Sequence, residues 1–141
     1  MQHKRLIIDA NILIRGVLGS RVRNLVAAAS EEVAFYVAEA NYREACHYLA
    51  DLAPRRGIPE PLWQAALETL MSAVQLVADE ELERIKEGAL ARIACRDERD
   101  WPALAAALLL QCPIWTEDQD FFGTGVPTWT TATIDIYLNP E

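Results

Sequence analysis

Arg5-Leu6-Ile7-Ile8-Asp9-Ala10-Asn11 is a short aliphatic run that ends on a carboxylate, with an amide side chain two positions later. Such a run, bounded by charge and too short for a helix, predicts a buried strand over Arg5–Asp9. Outward from it, Asn11–Gly19 reads as a turn into an apolar stretch (Ile12, Leu13, Ile14, Val17, Leu18), and Asn24–Ser30 as a helix. Val33–Val37 repeats the strand pattern. Over Glu39–Arg55 the spacing predicts a helix with Ala40, Glu44, His47 and Asp51 near one face and Tyr42, Ala45, Leu49 and Leu52 near another, ended by Pro54 and Gly57. Pro59–Ser72 is a further amphipathic helix and Val74–Val77 a strand. Asp79 is placed to cap a helix carrying Leu82, Ile85, Ala89 and Ile93. Asp100-Trp101-Pro102 opens an apolar helix through Leu110, with Asp100 as its cap and Pro102 in the first turn. Pro113–Thr116 and Thr128–Thr130 complete the strands, and Ala132–Leu138 is a last helix. Strands alternating with helices imply an α/β fold: one Rossmann-like domain over residues 1–141, with a mainly parallel sheet of four to five strands covered by helices on both faces.

Composition narrows the function classes. With 52% hydrophobic and 24% charged residues the chain has enough apolar surface to fold as a globular domain, which excludes disorder. The longest apolar run, around Ala103–Leu110, falls short of the roughly 20 residues that span a bilayer. The N-terminus, Met1-Gln2-His3-Lys4-Arg5, leads into too few apolar residues for a secretion signal, so a cytoplasmic location is expected. Cys46, Cys95 and Cys112 form no C-x-x-C pair and read as buried reduced thiols. Trp63, Trp101, Trp115 and Trp129 read as core or subunit contacts. The net charge of −8 runs against nucleic-acid binding unless carboxylates are gathered around cations.

The acids are arranged for that. In open parallel sheets, ligands sit beyond the carboxyl ends of the strands. Asp9 ends the first strand; Asp118 and Asp120, in Thr116-Glu117-Asp118-Gln119-Asp120, follow a later one. Asp100 starts the helix before that strand, and Glu44 lies in the helix after the second. Taken singly, each is explained by capping, a turn or solvation. Together they put four distant segments at one rim. Two like charges about 4 Å apart repel by roughly 4 kcal/mol at an effective dielectric of 20, so an ionised nest needs divalent cations. Oxygen ligands without His or Cys favour Mg²⁺ or Mn²⁺ over zinc. Such ions suit phosphodiester hydrolysis.

Ile7-Ile8-Asp9-Ala10-Asn11-Ile12-Leu13-Ile14 resembles the opening motif of PIN domains. The run from Arg96-Asp97-Glu98-Arg99-Asp100 to Leu108, followed by Pro113-Ile114-Trp115-Thr116-Glu117-Asp118-Gln119-Asp120-Phe121, is similar to the family's second half; Asn41-Tyr42-Arg43-Glu44-Ala45 is similar to its second acidic motif. The likeness spans roughly residues 4 to 138, with the motifs in order. It implies a catalytic quartet of Asp9, Glu44, Asp100 and Asp118, and metal held by Asp9, Asp100, Asp118 and Asp120. Asp97 would lie at the edge of the site, and Asn11 and Thr116 would orient carboxylates or water. The implied activity is hydrolysis of RNA to a 5′-phosphate and a 3′-hydroxyl. Many bacterial members are VapC-type toxins held by a small antitoxin, and their commonest form has Asn where Asp118 stands. A homodimer would suit exposed apolar surface on the N-terminal helices. Two other readings have less support. An inactive PIN-like scaffold binding a protein partner would be expected to lack one of the acids. A phosphotransferase would carry a second acid in place of Asn11. His47, beyond Glu44 on its helix, reads as a surface residue, and Arg15, Arg21, Arg23, Arg55 and Arg56 as solvated cations.

Overall fold

The computed structural model describes residues 4–93 and 97–139; His3, Cys95 and Arg96 lie outside them. The strands are β1 (Lys4–Ile8), β2 (Val33–Ala38), β3 (Val74–Val77), β4 (Ile114–Trp115) and β5 (Thr128–Trp129). They form one five-stranded sheet in the order β3-β2-β1-β4-β5, every pairing parallel. The helices are α1 (Ala10–Leu18), α2 (Arg21–Ala29), α3 (Glu39–Arg55), α4 (Glu60–Met71), α5 (Asp79–Glu83), α6 (Lys86–Ile93), α7 (Trp101–Leu110) and α8 (Ile134–Leu138). None is long and apolar enough to cross a membrane.

The alternation of β1 decides the layers. Leu6 and Ile8 point to one face and pack with Ile12, Leu13, Val22, Val26 and Ile134. Ile7 points to the other, with Leu82, Ala89, Ile93, Leu104 and Phe121. All three β1 side chains are fully buried, each contributing roughly 1.5–3 kcal/mol of hydrophobic stabilisation. A third cluster, Val17, Leu49, Ala53, Trp63 and Leu67, clamps α1, α3 and α4 together. Gly16 permits that approach, since a Cβ there would sit 2.7 Å from Leu70 Cδ2.

Several local expectations are corrected. The stretch Asn11–Gly19 is a full helix from Ala10, because Ile12, Leu13, Gly16 and Val17 bury one face and Asp9 caps the first turn. Helix α2 begins three residues before Asn24. Asp79 is the first residue of α5 rather than its cap; its carboxylate pairs with Arg43 at 2.9 Å, and the predicted single helix is divided into α5 and α6. Asp100 precedes α7, but its side chain makes no capping bond. Cys112 is buried as a free thiol, with burial pushing it up to about 11, whereas Cys46 is only half-buried. Trp63 and Trp115 are buried; Trp101 lies beneath the Lys86 ammonium and Trp129 packs on Tyr137.

Gln111 closes α7 in the left-handed region, φ 53° and ψ 55°. A side chain there costs about 1–2 kcal/mol. Glycine avoids this but gives back part through chain entropy. Gln111→Gly is therefore expected to stabilise the protein by roughly 0.5–1 kcal/mol, seen as a higher urea midpoint with an unchanged slope.

Candidate functional site

The strand order reverses at β1, which has β2 on one side and β4 on the other. A crevice therefore opens where the chain leaves β1 and β4. Asp9 leaves β1 straight into α1. Its Oδ1 accepts from the Ala10 backbone N–H at 2.8 Å, and its Oδ2 accepts from Thr116 Oγ1 at 2.7 Å and Asn11 Nδ2 at 3.0 Å. Thr116 leaves β4, and its hydroxyl accepts from the Asp118 backbone N–H at 2.9 Å. Asn11 Oδ1 accepts from the Glu117 N–H at 3.2 Å, so this one amide ties the two strand ends together. Asp118 Oδ1 in turn accepts from the Asp120 N–H at 2.9 Å, which folds the acidic segment back over the strand end.

One cavity of about 780 Å³ is lined by Asp9, Asn11, Glu44, Asp100 and Asp118 together, although these residues come from four distant segments. Thr116 stands behind it, buried against Asp9. Carboxylate oxygens of Asp97, Asp100 and Asp120 all lie within 4.8 Å of one another, so Asp100 belongs to both groups. Each acid and orienting residue singled out from the sequence is thus at this crevice or bonded to a residue that is. His47 is exposed and does not line the cavity.

The electrostatics are those of crowded, desolvated carboxylates. Burial, then the neighbouring Asp118, with smaller contributions from Asp9 and Asp97, pushes the Asp100 carboxyl up to about 8. Burial raises the Asp9 carboxyl, against the pull of its hydrogen bonds from Thr116 and Ala10. Glu44 is raised by burial and by the charge of Asp9, opposed by the Asn41 amide and the Arg99 guanidinium. Asp97 goes the other way: Arg99 donates to it from Nε at 3.0 Å and Nη2 at 2.9 Å and holds it below the usual carboxylate range.

A divalent cation fits these residues. Asp100 Oδ2 is buried and no N–H or O–H of another described residue donates to it, so either a proton shared with the neighbouring Asp118 carboxylate or a cation must meet this oxygen, since leaving it bare costs roughly 1–3 kcal/mol or more. The donor set at the crevice is all oxygen, which selects hard cations.

Three features were not read from the sequence. Glu117 accepts from the Thr131 backbone N–H at 2.8 Å and secures the loop that borders the cavity. Arg99 clips Asp97 at the rim. Glu44, Tyr48, Leu52 and Arg56 all line the cavity; their four-residue spacing puts them in one stripe, whereas Leu52 was expected on another face from Glu44.

Comparison with known proteins gives the same architecture. A family model described as PIN domain matches residues 7–139. No curated protein matches the sequence. The crystal structure of PAE2754 from Pyrobaculum aerophilum aligns with a TM-score of 0.72 and 16% identity, covering 98% of this chain and 97% of that one. A toxin–antitoxin complex from Klebsiella pneumoniae aligns at 0.64 and 17% identity, over 89% of this chain and 97% of that one. FitAB bound to the IR36 DNA fragment aligns at 0.61 and 17% identity, over 89% and 94%. At these identities the likeness is one of fold.

Proposed function

Because this chain belongs to the PIN domain family, matched over residues 7–139, we propose that it is a Mg²⁺- or Mn²⁺-dependent endoribonuclease, the toxin of a toxin–antitoxin pair. The observation that carries the reading is the convergence of Asp9, Glu44, Asp100 and Asp118 on one cavity, with the buried Asp100 Oδ2 left unpartnered. Asp9, Asp100, Asp118 and Asp120 would hold the cation, with Asp97 beside them. When bound, the cation activates water as the nucleophile and stabilises the leaving oxygen. Thr116 and Asn11 hold Asp9 Oδ2 in a fixed direction, so the carboxylate need not reorganise. Glu44, raised by burial and by the charge of Asp9, is suited to take a proton from the attacking water on its carboxylate. If the P–O3′ bond is the one that breaks, as the family resemblance implies, water ends on the phosphorus and the 3′-oxygen leaves with a proton, giving a 5′-phosphate and a 3′-hydroxyl.

The toxin role is supported by the Klebsiella pneumoniae neighbour, itself a toxin–antitoxin complex. A small protein inhibitor is the partner expected, with a homodimer as the assembly and the cytoplasm as the location. An inactive scaffold of the same fold is the competing reading; it has no use for four clustered acids. The discriminating test is cleavage of a labelled RNA by purified protein. Full activity is expected with Mg²⁺ or Mn²⁺, and none in excess chelator. Activity that survives chelation rejects the metal mechanism, and no activity with either ion favours the scaffold.

A further inference from the structure

The cavity continues well past the acids. Along α1 it is walled by Arg15 and Leu18, and along α3 by Tyr48 and Leu52, with Arg21 and Arg56 farther out. At 1.5 Å per residue, Arg56 lies about 18 Å along the α3 axis from Glu44. The groove is therefore acidic where the strands end and basic away from them. That polarity stands out in a chain with 13 Lys and Arg against 21 Asp and Glu.

The three guanidiniums are available. Arg15 and Arg56 pair with no carboxylate among the described residues, and Arg21 meets only the exposed Asp135 at 3.7 Å, a pair worth little in water. The adjacent Arg55 is instead occupied by Asp51. Between the acids and Arg56, Tyr48 leaves half its surface open, at 50% exposure, on the groove wall.

We propose that Arg15, Arg21, Arg56 and Tyr48 form the subsite for the single-stranded RNA segment adjoining the scissile phosphate. The guanidiniums hold backbone phosphates, and the Tyr48 ring stacks one unpaired base. A cavity of about 780 Å³ takes a few splayed nucleotides, and a base can stack on the Tyr48 ring only when it is unpaired. The subsite also answers the charge objection: net charge is −8, but the cations that face this cavity are gathered where a polyanion must lie. The inference rests on the ribonuclease reading and deepens it by assigning to Arg15, Arg21, Tyr48 and Arg56 the grip on the strand that the reaction requires.

The test is fluorescence anisotropy with a labelled single-stranded oligoribonucleotide and a matched hairpin stem, in the presence of Mn²⁺ and on an Asp9→Asn background. Tyr48→Ala is expected to weaken single-strand binding about tenfold, with Tyr48→Phe restoring it. Arg15→Ala and Arg56→Ala should each weaken it and lower the slope of log K against log salt by about 0.7. Binding of the stem should be weaker than that of the single strand and insensitive to Tyr48. Calorimetric Mn²⁺ binding, on the parent background, should be unchanged by the Tyr48 and Arg variants. Single-strand affinity at the parental level in all three alanine variants overturns the subsite, even if Mn²⁺-dependent cleavage proves the nuclease reading right. Variants that keep RNA affinity but lose binding of an acidic peptide overturn it in favour of a protein-docking groove. If the parent cleaves nothing, the nuclease reading fails and with it the place beside a scissile phosphate, while Tyr48-dependent binding still supports the groove as a single-strand RNA site.

Discussion

Asp9→Asn is expected to slow RNA cleavage by at least about 10³-fold while the protein stays folded. The rate loss follows from charge. A cation that activates water and steadies the leaving oxygen lowers the barrier by several kcal/mol, and each 1.36 kcal/mol lost is tenfold in rate. Asp9 is the most deeply placed of the clustered acids, at 5% exposure, so no water can substitute for its charge from behind. The fold survives because the two oxygens play different parts. Asn keeps an acceptor for the Ala10 N–H, the bond that starts α1. At the other position its amide N–H₂ faces two donors, Thr116 and Asn11. Thr116 Oγ1 already accepts from the Asp118 N–H at 2.9 Å and from Asn11 Nδ2 at 3.3 Å, so the bonds that Thr116 and Asn11 donate to this oxygen are lost, at roughly 1 kcal/mol each. Against that, a neutral amide escapes the desolvation that dominates the Asp9 environment. The two changes oppose each other, so the melting temperature in chelator should move by only a few degrees. Single-turnover cleavage and thermal melting measure the two halves. A variant that folds normally and cleaves within tenfold of the parent removes Asp9 from the chemistry.

The core of this site was legible because its parts obey local rules. A short apolar run ending in an acid can only be an interior strand that delivers a carboxylate to its end, and Leu6, Ile7, Ile8 and Asp9 do so. Parallel pairing followed from the alternation of strands with helices, and with it the expectation that Asp9 and Asp118 share a rim. What was hidden depends on neighbours that periodicity does not report. The segment after Asp9 was read as a turn into an apolar stretch, and the full length of α1 shows only in the packing that buries Ile12, Leu13, Gly16 and Val17 along one face. Asp100 looked like an ordinary cap, but its orphaned Oδ2 and missing cap bond appear only once α7 is packed beside Asp118. The division between Arg55 and Arg56 is likewise invisible to composition. It comes from where α3 ends, since Asp51 is within reach of one and the groove of the other.

Without divalent cations, stability should fall as pH rises from about 4 to about 8, and Mn²⁺ should reverse the trend. The sign follows from Asp100, whose carboxyl sits at about 8 in the folded chain against an ordinary value of 3.8. Below 3.8 both folded and unfolded chains hold that proton, and the folded state suffers no penalty. Between the two values the unfolded chain has released it and the folded chain has not, so raising pH favours unfolding. Asp9 and Glu44 are raised as well and act in the same direction. Because Asp100 is only partly buried, solvent screening reduces the effect below the limiting slope of about 1.4 kcal/mol per pH unit. A bound cation requires the same carboxylates ionised, so its affinity grows with pH over this window. At a concentration 100-fold above Kd it stabilises by about 2.7 kcal/mol, which for a chain of this length raises Tm by roughly 5–10 °C. Asp100→Asn removes the Asp100 titration and leaves those of Asp9 and Glu44 in place. It should reduce the pH dependence measured in chelator, leaving the share of Asp9 and Glu44, and abolish most of the Mn²⁺-induced rise, since the carboxylate charge is then gone. A parent protein whose Tm in chelator climbs between pH 5 and 8, or whose Asp100→Asn variant gains as much from Mn²⁺ as the parent, would show that Asp100 carries neither the strain nor the metal.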